Sequence, residues 1–203
     1  MTIRKGEPWG GPGVLPDNGV VVHSDAEARA VVEAARAQGS PVPTLGLLGG
    51  DLCKTLGGPG DVGRLRSTAA MVFPVDLGRV EMAGGPHWFV AHAIARHRAW
   101  LGRAVAVMNA QWLGEWDLGP RAHPGDALLD VTDGTVPLGD WFKARARVRT
   151  GTHLPHPGLR TSRTSRLELD FARPEGVWLD GQRVGTTRHL VIEVEPDAIS
   201  VVI

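Results

Sequence analysis

The chain has 203 residues, is 42% hydrophobic and carries 22 basic against 22 acidic side chains. That length suffices for one substantial core or two small lobes, and zero net charge gives no overall pull toward nucleic acid or membrane. A single cysteine, Cys53, excludes an internal disulfide framework and a cysteine-based zinc site, and fits a reducing cytoplasm.

The N-terminal stretch "MTIRKGEPWGGPGVLPDNG" lacks the apolar core of a signal peptide. No apolar run anywhere in the sequence reaches membrane-spanning length, so no transmembrane segment is expected. Residues 1–18 read as an irregular, Gly- and Pro-rich lead-in. "GVVV" (19–22) reads as a short buried strand. In "SDAEARAVVEAARAQG", Ser24 and Glu27 make a capping box, Gly39 stands where a helix C-cap glycine belongs, and Ala28, Val31, Val32 and Ala35 form an apolar stripe. "TLGLL" (44–48) is a second strand, so residues 19–48 form a βαβ unit with a right-handed crossover. A glycine turn, Gly49-Gly50-Asp51, opens a short helix that "GGPG" stops.

From residue 66 strand-like segments recur, and one helical stretch, 138–151, interrupts them. Asp180-Gly181 between "VWL" and "QRV" is a hairpin signal, and "EPDA" (195–198) is a proline turn linking the last two strands. The fold class is therefore α+β: a small α/β piece over 19–65 and a larger antiparallel β-sandwich over 66–203.

The order of these pieces and several motifs resemble the diacylglycerol-kinase-like lipid kinases, a superfamily that also holds sphingosine kinases and, more distantly, NAD kinases. "LGLLGGDLCKTLG" is similar to the family's "LGxxPxGTGNDxARTLG", with Asp51 in place of its aspartate and Lys54 in place of its arginine. "PVDLGRVEMAGGPHWFVAHAIA" resembles "xxDLGxVNGRxFxNxxxxG", with Asp76 at a magnesium-linked position. Asn109, Pro120, Ala122, Asp126, Leu129, Asp130 and Val131 match "xxxNxxxxGGGxxxxPxAxxxDGxLDV", and "VWLDGQRVG" resembles the "xxxDGE" hairpin. The resemblance implies a nucleotide lobe that begins inside the family's pattern, a sandwich lobe, and a cleft between them holding ATP, magnesium and a lipid alcohol.

The departures bear on activity. Where the family has "GGDGT", this chain reads "HSDAE": Asp25 keeps the aspartate, while His23, Ser24, Ala26 and Glu27 replace glycines and threonine. A Cβ on each residue and a carboxylate at Glu27 oppose a polyphosphate that needs close backbone approach. "GTGND" has shrunk to Gly49-Gly50-Asp51. Gln182 replaces the hairpin glutamate, and an amide cannot take a hydroxyl proton as a carboxylate can. ATP binding is therefore expected to be impaired.

The resemblance makes Asp180 and Gln182 the catalytic candidates, Asp25, Gly49, Gly50, Asp51 and Lys54 the phosphate-binding candidates, and Asp25, Asp51 and Asp76 a magnesium group; the alternative is that these aspartates are helix caps and turn residues. "HPGDALLD" (123–130) resembles a structural magnesium loop, with Asp126 joined by main-chain carbonyls near His123 and Leu128; the alternative is a plain proline turn. A transition-metal site at His87, His92 and His97 is not expected, because on a strand His87 and His92 face opposite sides and no carboxylate or cysteine completes a ligand set; His153 and His156 in "THLPHP" meet the same objection. Lys143, Arg145, Arg147 and Arg149 begin a basic run that ends with Arg160, Arg163 and Arg166. It is a candidate for a lipid headgroup or an anionic membrane surface, or else a solvated helix face and a charge-protected edge. Three functions stay open: a degenerate lipid-kinase homologue, an active magnesium- and ATP-dependent lipid kinase, and a scaffolding module or homodimer. The expected location is cytoplasmic, with peripheral contact to a membrane if the basic run binds one.

Overall fold

A computed structural model describes residues 8–97, 102–135 and 158–203. The helical stretch 138–151 expected from sequence lies outside the described residues.

The chain begins with a two-residue strand, β1 (Gly11–Pro12), then β2 (Val20–Val22), helix α1 (Asp25–Ala37), β3 (Leu45–Leu47) and helix α2 (Gly50–Thr55). Ser24 is extended and its Oγ accepts from Glu27 N–H at 3.2 Å, while Glu27 Oε2 accepts from His23 N–H at 2.8 Å. Gly39 follows the C-cap at φ +61, a conformation that a Cβ disfavours. Ala28, Val32 and Ala35 are buried as the stripe requires. β2 and β3 pair in parallel, Val20 with Leu45 and Val22 with Leu47, which makes the βαβ unit.

The remaining strands are β4 (Met71–Met82), β5 (Gly85–Phe89), β6 (His92–Arg96), β7 (Arg103–Met108), β8 (Trp112–Leu113), β9 (Trp116–Asp117), β10 (Leu129–Thr135), β11 (Leu159–Thr164), β12 (Arg166–Leu179) and β13 (Gln182–Val202). The main sheet runs β1-β4-β13-β12-β6-β7-β10-β11, and all of these neighbours are antiparallel. β3 joins it by parallel pairing of Leu45 and Gly46 with Val201 and Val202, so the βαβ piece extends the same sheet rather than standing off it.

Long strands let one sheet serve two cores. Val75 and Leu77 of β4, with Ile199 and Val201 of β13, pack in a cluster with Val22, Val32, Leu47 and Leu52. Beyond the register shift between Glu195 and Ile199, Val80 of β4 and Leu190 and Ile192 of β13 enter a second cluster with Ala93, Val105, Val107, Leu129 and Val177. That second cluster fills the sandwich-like part. The "EPDA" turn is thus a bulge within one strand, with Asp197 at φ +49, because the chain bends without leaving the ladder. Within the second region Gly78 lies against the Phe89 ring, where a Cβ would fall 2.0 Å from Cζ.

"HWFVAHAIA" breaks into two strands at Val90-Ala91. β5 pairs with β4, and β6 pairs with β7 and β12. Strand alternation therefore does not run from His87 to His92.

Candidate functional site at the strand–helix junctions

The ends of β2 and β3 bring two junctions together. At the first, Asp25 opens α1; at the second, Gly49 and Gly50 lead into α2. The Asp25 carboxylate caps α2: Oδ2 accepts from Asp51 N–H at 2.5 Å and Oδ1 from Leu52 N–H at 3.1 Å. Both glycines are required by this contact. A Cβ on Gly50, at φ +94, would fall 2.5 Å from Asp25 Oδ1, and a Cβ on Gly49 would fall 2.5 Å from the His23 carbonyl oxygen. The donors that a phosphate loop offers to a ligand are here taken by the chain's own carboxylate.

Asp51 and Lys54 project from α2 toward the β8–β9 hairpin. Asp51 Oδ1 accepts from Gly114 N–H at 2.9 Å. The Lys54 ammonium donates to the Gly114 carbonyl at 3.0 Å and lies 3.7 Å from the Trp112 ring centroid. Thr55 Oγ1 accepts from Gln111 N–H at 3.0 Å. Lys54 is thus committed to a cation–π contact and a carbonyl.

Asp180 and Gly181, at φ +49 and +80, form the two-residue turn between β12 and β13, with Leu179 paired to Gln182. The Asp180 carboxylate turns inward and accepts from Val90 (2.9 Å), Ala91 (2.9 Å) and His92 (3.1 Å) N–H, satisfying the break between β5 and β6. Gln182 Oε1 accepts from Arg29 Nη2 at 2.6 Å. Arg29 is buried on α1 and also pairs with Glu33 at 3.3 Å, so it ties the first helix to the hairpin.

The residue that the sequence reading left aside is His92. It is 2% exposed, and its Nε2 lies 3.1 Å from Asp51 Oδ2. Its Nδ1 is buried with no hydrogen-bond partner among the described residues. Asp25, Asp51 and His92 each bring one donor atom into a group in which all lie within 4.8 Å of one another. The carboxylates that complete this set come from residues far away in sequence, so local spacing held no sign of it. Arg29, on the flank of the α1 stripe, was likewise invisible, because its partner Gln182 lies far along the chain.

The group is electrostatically strained. Burial, then the Asp180 charge, pushes the Asp25 carboxyl up to about 7 against its two N–H bonds. Burial also raises Asp180, opposed by the His92 charge and three N–H groups. Burial acts to raise Asp51 too, but the bond from His92, the Gly114 N–H and the Lys54 charge outweigh it and hold it low. For His92 burial favours the neutral ring, and the carboxylates of Asp51, Asp180 and Asp25 overcome this and raise it.

Asp76 stands apart from this group. Its Oδ2 accepts from Ala127 N–H at 2.7 Å and its Oδ1 from Asp197 N–H at 2.8 Å, while its own N–H donates to the Pro124 carbonyl at 2.8 Å. It joins the "HPGDALLD" turn to the β13 bulge. Burial raises its carboxyl to about 6. In the same turn Asp126 Oδ1 accepts from Leu128 N–H at 3.1 Å. Arg163 of β11 donates to Asp126 and lies 3.0 Å from Asp130, so a guanidinium supplies positive charge beside these carboxylates. His123 packs edge-on to Trp9 at 4.4 Å, and burial lowers its pKa. Asn109 Nδ2 donates to the Asp76 and Val90 carbonyls, both at 2.8 Å, linking this turn to the Asp180 region.

Lys143, Arg145, Arg147, Arg149, His153 and His156 lie outside the described residues. Of the rest of the basic run, Arg163 is paired as above and Arg166 pairs with Glu193. Among the described residues no helix is long and apolar enough to cross a membrane.

No curated protein sequence matches the chain. Among solved structures, a candidate diacylglycerol kinase from Bacillus anthracis str. Sterne is similar with a TM-score of 0.68 at 14% identity, over 91% of this chain and 77% of that one. A diacylglycerol kinase from the same organism is similar with a TM-score of 0.58 at 15% identity, over 91% and 75%. At these identities the likeness is one of fold. The sequence model of the YegS C-terminal NAD kinase β-sandwich-like domain matches residues 79–203, which hold the sandwich, the Asp180 hairpin and His92; the chain belongs to that family, with a diacylglycerol-kinase-like fold.

Proposed function

We propose that this chain is a diacylglycerol-kinase-like protein in which phosphotransfer has lapsed and the fold is kept to bind a lipid headgroup, a nucleotide or a protein partner. The observation that carries the reading is the Asp25 carboxylate seated on the N–H groups of α2, where a phosphate oxygen would have to displace it. Three further assignments support it. Lys54 is held by Gly114 and Trp112, Gln182 is held by Arg29, and the Asp180 oxygens are occupied by three backbone donors. Phosphoryl transfer relies on positioned charge around a polyphosphate, and each side chain that the family resemblance offers for that task already has an internal partner.

The test is direct. Purified full-length protein is incubated with magnesium, ATP and diacylglycerol in mixed micelles. The expected result is no phosphatidate above the protein-free control; sustained ATP-dependent turnover refutes the reading. A thermal-shift series with ATP, ADP, NAD and magnesium then reports which ligand, if any, raises the melting temperature.

One observation favours a second reading, an active lipid kinase. Asp25, Asp51 and Asp180 gather around His92, and burial raises the Asp180 carboxyl. Magnesium held by Asp25 and Asp51, with Asp180 as base, is the arrangement this reading requires. It predicts turnover in the wild type and none in Asp180→Asn.

A further inference from the structure

We propose that Asp25, Asp51 and His92 form a binding site for one divalent transition-metal ion of the zinc or manganese type, filled without any nucleotide. The site goes beyond the reading of the chain as a lapsed kinase and does not depend on it.

The donor atoms converge from three separate elements. Asp25 opens α1, Asp51 lies in the first turn of α2, and His92 opens β6. Their nearest donors all lie within 4.8 Å of one another, with His92 Nε2 at 3.1 Å from Asp51 Oδ2. An ion placed among them at ordinary metal–ligand distances of about 2.0–2.2 Å needs only small side-chain adjustments.

Each carboxylate oxygen has two lone pairs. Asp25 Oδ1 and Oδ2 and Asp51 Oδ1 each spend one on a backbone N–H, and each retains one for an ion. The backbone bonds then fix the carboxylates in orientation, as outer-shell partners of metal ligands do.

Charge supplies an independent argument. Three carboxylates, Asp25, Asp51 and Asp180, are gathered around one imidazole, and Asp25, Asp180 and His92 are 8%, 6% and 2% exposed. Buried charge of one sign is costly unless paired or bound to a metal. Ligation by His92 Nε2 replaces its contact with Asp51 Oδ2 by a bond to the ion and places the ring proton on Nδ1.

The donor types select the ion. An imidazole with two carboxylates suits zinc, manganese or iron, whereas magnesium prefers oxygen donors and retains its water. Three protein donors leave a fourth tetrahedral position, and Asp51, at 16% side-chain exposure, marks the side from which it opens.

The experiment uses the full chain, stripped of metal by chelation and titrated separately with zinc, cobalt(II), manganese and magnesium in the absence of nucleotide. One equivalent of zinc or cobalt is expected to bind at least about tenfold more tightly than magnesium. The bound cobalt is expected to show the intense visible absorption of a low-symmetry site, and X-ray absorption on the zinc form is expected to show a nitrogen scatterer from imidazole. His92→Gln is expected to weaken zinc binding by about 10- to 100-fold, while His87→Gln leaves it unchanged. No stoichiometric binding, equal affinity for magnesium, or absence of imidazole scattering in the wild type overturns the proposal, as does loss of binding in His87→Gln. The spectroscopic readouts need no variant, so they decide the matter even if His92→Gln does not fold. Lipid phosphorylation is measured separately, so failure of this site and failure of the functional reading are distinct outcomes.

Discussion

Asp25 and Asp51 are joined by a hydrogen bond that spans two strand–helix junctions: the carboxylate of one accepts the backbone N–H of the other at 2.5 Å, and the Leu52 N–H follows at 3.1 Å. Asp25 thereby does for α2 what an N-cap residue does for its own helix, because Gly49, the residue in that place, has no side chain to offer. Removing it leaves two backbone donors without an acceptor. Asp25→Ala is expected to cost about 2–4 kcal/mol, lowering the melting temperature by roughly 5–15 °C. The coupling to Gly50 is equally specific. Gly50→Ala destabilises the wild type through its positive φ and through Cβ clashes with the Asp25 carboxylate and backbone nitrogen, but in the Asp25→Ala background the carboxylate part of the clash is gone. A double-mutant cycle by thermal or urea denaturation should give a coupling energy of about 1 kcal/mol or more; strict additivity would show that the two residues do not meet.

Much of the frame was legible because its signals are local. Ser24, Glu27 and Gly39 mark one helix by its ends, and Asp180-Gly181 marks a hairpin by the positive φ it requires. The site was less legible because its relations are distant. The sequence grouped Asp25, Asp51 and Asp76 by their motif positions, yet the fold gathers Asp25 and Asp51 with His92 and sends Asp76 to the Ala127 turn. His92 was read through strand alternation, which fails where β5 and β6 part at Val90-Ala91. That break is held by three hydrogen bonds to a carboxylate about ninety residues further along, and no window of sequence contains both ends of such a contact.

The Asp76 carboxyl is expected to give the fold a measurable pH dependence. Burial raises it from 3.8 to about 6, so between those values the native state holds a proton that the unfolded chain has released. Stability from this group is therefore greatest below the lower value and is lost as the pH rises through about 6. His123 runs the other way: burial lowers its pKa, so its contribution is present above the ordinary histidine value and lost as the pH falls. Comparing wild type with Asp76→Asn cancels the other groups. The variant should lose part of the decline in urea midpoint between about pH 4 and pH 6.5, and an unchanged slope would remove Asp76 as its source.

Arg163 is expected to act as the cation of the 123–130 turn. It pairs with Asp126 and Asp130, and Asp130 is drawn upward by burial while the Arg163 and Arg121 charges restrain it. Arg163→Gln leaves two neighbouring carboxylates with much less compensation and should cost about 1–2 kcal/mol. Magnesium, an oxygen-seeking ion, should then raise the melting temperature of the variant more than that of the wild type, at ionic strength matched with sodium chloride. Equal responses would show that the turn has no place for a cation even when the arginine is gone.

Gln182 separates a structural from a catalytic account of the hairpin. Its Oε1 lies 2.6 Å from Arg29 Nη2, and Arg29 is buried with Glu33 as its ionic partner at 3.3 Å. Gln182→Glu places a second carboxylate on a guanidinium that is 7% exposed, turning a neutral acceptor into a charge-assisted one. The Arg29 Nε, buried and unpartnered among the described residues, is a further donor within that environment. The net gain should be modest, about 0.5–1.5 kcal/mol, because the new charge must also be desolvated. Under the lapsed-kinase reading the variant is more stable and still fails to phosphorylate diacylglycerol, since the phosphate-facing donors of α2 remain capped by Asp25. Under the active-kinase reading the same change adds a base beside Asp180 and raises turnover. Measuring melting temperature and phosphatidate formation on one preparation distinguishes the two, and a large gain in turnover would show that the hairpin, rather than the α2 cap, had been limiting.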